Sequence, residues 1–110
     1  MMSVREDFLE FLDRHPKMRK DRPAPKLLYA NLLEDGSAMD KNIKQLGIKD
    51  FRCGFRCLDV KKWKNIIKPQ YEAAYHKDYG RYPMVPGTYW NHLAAINKYI
   101  EFLETYNKLN

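Results

Sequence analysis

Two cysteines and three histidines are the residues with the most reactive chemistry. Cys53 and Cys57 are spaced so that a helix would bring both thiols to one side, one turn apart. A structural zinc site needs four ligands, and His15, His76 and His92 stand singly rather than in the paired spacing of a metal motif. Two reduced, partly buried thiols are the simpler reading, and neither a metal nor any other cofactor is expected. His76 with Asp78, or His92 with a distant carboxylate, would make an acid–base pair, but any chain of this composition offers such pairs. There is no glycine-rich phosphate loop, no nucleophile elbow and no paired-histidine helix; each of those motifs is needed to place a specific reacting group. Most of the eight tyrosines fall at helical core spacing. The sequence reads as non-catalytic, with no small-molecule substrate.

The basic residues have a collective property instead. The formal net charge is +6, and its distribution is uneven. Residues 1–16 carry a net of −2, residues 17–40 hold five basic against four acidic groups, and the chain beyond residue 68 is neutral. Residues 41–68 hold nine basic groups against Asp50 and Asp59, a net of +7. Charge of one sign gathered in one segment makes a local field that attracts polyanions. Lys61, Lys64 and Lys68 fall at i, i+3 and i+7, one helical stripe with Asn65 beside it, offset from the apolar Val60, Trp63 and Ile67. Lysines in such a row meet phosphates as point charges and position a protein without reading sequence. Arg52 and Arg56, one turn apart if helical, add two groups able to fork onto guanine or phosphate. Lys41 and Lys44 extend the same surface.

The elements that must position these groups follow from periodicity and punctuation. Ser3-x-x-Glu6 is a capping box, and Val4, Phe8, Phe11, Leu12 and His15 trace one face until Pro16. His15 there suits the helix dipole. Lys17–Lys26, with two prolines, reads as an extended connector. A second helix starts at Ala24 or Pro25 with Leu28, Tyr29, Leu32 and Leu33 inward, and Gly36 stops it. Ser37 opens a third helix, Ala38 to Leu46, closed by Gly47. Residues 48–58 alternate like a strand through Phe51, Cys53, Phe55 and Cys57, yet also fit a helix through Phe51, Phe55 and Leu58. A lone strand would leave its backbone groups unpaired, so a short helix after an Asp50 cap is the expectation. Asp59 caps the next helix, which stays in phase through Pro69 as one kinked helix or two nearly collinear ones, ending near Tyr79–Gly80. Thr88 caps the last, Thr88 to Leu109, whose stripe of Tyr89, Leu93, Ile96, Ile100 and Leu103 is widened by Trp90, Tyr99, Phe102 and Tyr106.

Within the basic segment, MDKNIKQLGIKDFRCGF resembles a helix-turn-helix, with Leu46-Gly47-Ile48 at the turn and Phe51 to Leu58 as the recognition helix. The resemblance implies a helix laid in the major groove of DNA. It covers about a fifth of the chain and departs where Ile43 replaces a small residue and where Gly54 sits inside the second helix. Thr88–Glu104 has a looser similarity to helices in the core-binding domains of tyrosine recombinases.

The expectation is an all-α, single-domain chain over 1–110, a compact bundle of five to six short helices. The first and last helices form most of its core. No run approaches a membrane span and no signal peptide is visible, so a cytoplasmic protein is expected. The expected role is that of a non-catalytic regulator binding nucleic acid, duplex DNA above all, through the 41–68 surface. The alternative is a phage- or mobile-element-type inhibitor or adaptor, docking its basic face on an acidic protein surface of host machinery such as a defence nuclease.

Overall fold

The computed structural model describes residues 3–14 and 25–109, with side chains described to Tyr106. Helix α1, Val4–Arg14, opens on the expected reciprocal cap. The Glu6 N–H donates to Ser3 Oγ at 3.1 Å and the Ser3 N–H to Glu6 Oε1 at 3.4 Å, so two otherwise unpartnered donors are satisfied together. Phe8, Phe11 and Leu12 are buried on its inner face. His15 and connector residues 17–24 lie outside the described residues.

Helix α2, Lys26–Leu32, buries Tyr29 and Ala30, with Leu33 buried just beyond its end. Leu28, expected inward, is exposed: a helix this short has one narrow inner face, and position 28 falls about 100° off it. Gly36 takes the left-handed conformation, with φ of 81°. Helix α3, Ala38–Gln45, is capped by Ser37, whose Oγ accepts the Asp40 N–H at 3.0 Å. Gly47, at φ 69°, turns the chain away after it.

Residues 51–58 do not form the expected helix. They run extended into one 3₁₀ turn, Gly54–Arg56, and extended out again. Asp50 does not cap a helix; it sits at φ 62°, in the left-handed region. Cys53 and Cys57 are buried, Phe51 and Phe55 half-buried, and Arg52 and Arg56 exposed. The alternation in the sequence was therefore a true burial pattern. The backbone follows it without a partner strand, because the turn packs on the end of α2. A Cβ on Gly54 would lie 2.7 Å from the Leu33 carbonyl oxygen, so only glycine lets the backbone approach so closely. No recognition helix exists here, and the resemblance to a helix-turn-helix fails at its second half.

Helix α4 runs without a break through Val60–Lys62, Trp63–Ile67 and Lys68–Tyr75. Asp59 Oδ1 accepts the N–H groups of Lys61 and Lys62 as the expected cap. The middle segment is a π-helix, in which the Lys68 N–H reaches back five residues to the Trp63 carbonyl. Pro69 explains it. Proline brings no N–H, and its ring clashes with the carbonyl four residues back in an α-helix; widening the turn relieves that clash while the helix continues. A 3₁₀ turn, Lys77–Tyr79, and Gly80 at φ 74° end this arm.

Helix α5, Pro86–Leu109, begins two residues before the expected start. Pro86 takes the first turn, where its missing N–H is harmless, and Thr88 lies inside the helix rather than capping it. Leu93, Ile96, Tyr99, Ile100, Phe102 and Leu103 are buried. Rings join the first helix to the last: Phe8 lies 5.4 Å from both Tyr99 and Phe102, and Phe11 lies 5.7 Å from Phe102. Trp63 and Phe55 close on Tyr99 from α4 and the 3₁₀ turn, at 5.2 and 5.7 Å. The fold is an all-α globule of five helices, with no strand among the described residues. No helix among them is long and apolar enough to cross a membrane.

Candidate nucleic-acid interface

The nine cations of residues 41–68 are divided by the fold into groups with different surroundings. Lys44 is already occupied. Its ammonium lies 2.8 Å from Asp35 and 2.9 Å from the buried carboxylate of Asp40. The hydrogen bonds it donates to Asp35 and then to Asp40 push its pKa up, and the Lys44 hydrogen bond holds the Asp35 carboxyl below its usual range. Asp40 also accepts the Gly36 N–H at 2.9 Å, so Lys44 neutralises the group that pins the turn between α2 and α3. Lys41 is exposed one turn earlier. Arg52 precedes the 3₁₀ turn and Arg56 is its last residue, both exposed, with Arg56 within electrostatic reach of Asp35.

The lysines of α4 do not all line the same concavity. An i, i+3, i+7 row assumes 3.6 residues per turn, and the π segment takes more. Rows at a spacing of four therefore run along this helix. Trp63, Ile67, Tyr71 and Tyr75 make the buried row. Lys62, Ile66 and Gln70 make a second, and Lys61 with Asn65 a third; both line a groove of about 540 Å³ against Gly47–Asp50. Lys64 and Lys68 form a separate row outside that lining. Lys61 and Lys64 are exposed and Lys68 is half-buried. The Lys62 ammonium is held by the Lys49 carbonyl oxygen, which ties the 47–50 loop to α4. Lys41, Lys49, Arg52, Arg56, Lys61, Lys62, Lys64 and Lys68 make no ion pair among the described residues. Ile48 and Ile66 line the groove, and so do the carboxyl-bearing Asp50 and Asp59.

The reactive side chains are placed elsewhere. Burial pushes the Cys57 thiol up, away from thiolate, and the Cys57 carbonyl accepts the Trp63 indole N–H at 2.7 Å. Among the described residues His92 pairs with no carboxylate. Its Nδ1 lies 2.5 Å from Tyr71 Oη, which also accepts from Asn42 Nδ2 at 3.3 Å. Burial lowers the His92 pKa and raises that of Tyr71; which of the two donates in their hydrogen bond follows the imidazole tautomer. Tyr75 donates to the Asn42 carbonyl at 2.5 Å. These bonds tie α3, α4 and α5 together in the interior. Among the described residues no three metal-ligating side chains gather.

Sequence reasoning missed the groove, because the 47–50 loop and α4 meet only in three dimensions. It missed the occupation of Lys44 too, although Asp40 four residues earlier is a helical neighbour that the spacing displays. No family model matches the chain, and comparisons with curated proteins and with solved structures find no match.

Proposed function

We propose that the protein is a cytoplasmic, non-catalytic regulator that binds nucleic acid, duplex DNA in particular, through the surface of residues 41–68. The observation that carries this reading is the set of cations there with no carboxylate partner among the described residues. Unpaired cations on one segment lose little when they trade counterions for phosphates, and the released ions drive binding. Lys61, Lys64 and Lys68 are the principal contacts, with Lys41, Arg52 and Arg56 adjoining them. Lys44 contributes least because its charge is spent on Asp35 and Asp40.

The test is affinity for random-sequence duplex DNA across a range of salt. Changing Lys61, Lys64 and Lys68 together to Ala weakens binding on every sequence and flattens the slope of log affinity against log salt by about 2 to 3. A wild-type protein that binds neither duplex DNA nor RNA at low salt refutes the reading.

A second reading, a protein-binding inhibitor or adaptor, is favoured by one observation. Tyr79, Tyr82, Val85 and Trp90 are all exposed around the turn between α4 and α5, and clustered apolar exposure marks contact surfaces. Binding to an acidic protein that is lost with the same three lysines would favour it.

A further inference from the structure

The turn between α4 and α5 encloses a second concavity, of about 220 Å³, which shares no residue with the lysine groove. Its walls are rings. His76 lies 4.7 Å from Tyr89 and 6.1 Å from Trp90, at interplanar angles of 79° and 77°. Tyr89 meets Trp90 at 5.1 Å and 70°, and Tyr79, outside the lining, stands 5.3 Å from His76 at 65°. Met84 and Pro86 complete the lining, with Lys77 and Asp78 at the rim. The Asp78 N–H donates to His76 Nδ1 at 3.2 Å, and the Asp78 carboxylate lies 3.5 Å from the same nitrogen.

Rings set nearly at right angles make a corner and not a flat platform. Unpaired bases stack on open ring faces; a compact cation is held where several electron-rich ring faces converge. The carboxylate of Asp78 adds attraction of the same sign. Trp90 is 52% exposed on a helix whose other rings are largely buried, and Tyr79 is 59% exposed, so both are open to a ligand. Val85 and Tyr82, also exposed, extend the apolar surface beyond what a free cation would cover.

We propose that this pocket takes the ammonium head of a lysine side chain, free or methylated, on a protein partner. The proposal rests on the second reading above and names the chemistry its partner must present. Lys77 at the rim opposes a cation, and that supplies a test of sign.

The experiment follows tryptophan emission while tetramethylammonium chloride, or a short trimethyl-lysine peptide, is titrated against equal sodium chloride. Trp63 is fully buried, so the response belongs to Trp90. A saturable change with both probes is expected. Binding should weaken roughly two- to fivefold in Tyr79→Ala, weaken in Asp78→Asn and tighten in Lys77→Ala. All three side chains are exposed, so none of these changes touches the core. Reversed signs for Asp78→Asn and Lys77→Ala would overturn the proposal, as would a nucleoside monophosphate giving the response in place of the ammonium probes. A response to tetramethylammonium without one to the peptide would overturn the protein source. An unresponsive Trp90 removes the cation site alone; the inhibitor reading is judged separately, through Lys61, Lys64 and Lys68.

Discussion

Gly54 lies against the carbonyl oxygen of Leu33 at the separation of two backbones in contact; a Cβ built on it would be 2.7 Å from that oxygen and 2.8 Å from Leu33 Cδ2. The side chain of Leu33 can turn, but the carbonyl belongs to the end of α2 and cannot move without it. Gly54→Ala should therefore destabilise the protein by about 1–3 kcal/mol, the usual range for overpacking a close contact. Urea denaturation of the two proteins measures it. An unchanged midpoint would mean that the 3₁₀ turn does not press on α2.

Tyr99 presents the opposite case. Its hydroxyl is buried and has no hydrogen-bond partner among the described residues, while its ring touches four others. An unsatisfied buried hydroxyl costs about 1–3 kcal/mol. Tyr99→Phe keeps the ring and removes that cost, so the variant should melt at a higher temperature than the wild type. A loss of stability would show that the hydroxyl is satisfied in solution.

Lys44 and Lys61 should separate stability from binding. Lys44→Gln leaves the buried Asp40 carboxylate without its cation and should lower the melting temperature, with little change in the salt dependence of DNA binding. Lys61→Gln, at an exposed position without an ion pair among the described residues, should do the reverse. Calorimetry and a salt titration on the same two variants decide the matter. Equal effects of both on the salt slope would return Lys44 to the interface.

His92 should make the protein sensitive to mild acid. Burial holds its pKa in the folded state below the ordinary 6.5. As pH falls through 6.5 the unfolded chain takes up a proton that the folded chain refuses, so this contribution to stability is complete above that pH and declines below it. For one proton the slope is at most about 1.4 kcal/mol per pH unit. Denaturation at pH 7.5 and pH 5.5 should show the decline, and His92→Gln should flatten it. The same decline in the variant would assign the effect to other groups.

The parts of the fold legible in the sequence are those whose causes are local. Ser3 with Glu6, Ser37 with Asp40, Asp59, and Gly47 each act within one helical turn, and the structure uses all of them. The buried stripe of α5 was legible because 24 residues hold one phase. Residues 51–58 were not, since their conformation is set by Leu33, twenty-one positions before Gly54. Pro69 announced a disturbance in α4 but not its form. A kink and a π segment answer the same missing N–H, and only the second widens the turn between Lys61 and Lys68. Trp90 sits beside Tyr89 in a helix that reads as apolar nearly all round, and nothing in that pattern distinguishes the ring left in solvent.

The meeting of rings at Tyr99 also bears on how the molecule breathes. Phe8, Phe55, Trp63 and Phe102 surround it, and they come from α1, the 3₁₀ turn, α4 and α5 in turn. A half-rotation of the Tyr99 ring sweeps out space that all of those rings must vacate together, since a close-packed interior has little slack. Slow ring flipping on the NMR timescale is the expected signature. The elements around Tyr99 then open as one cooperative unit, and amide exchange in α1 and in α5 should proceed with the same free energy.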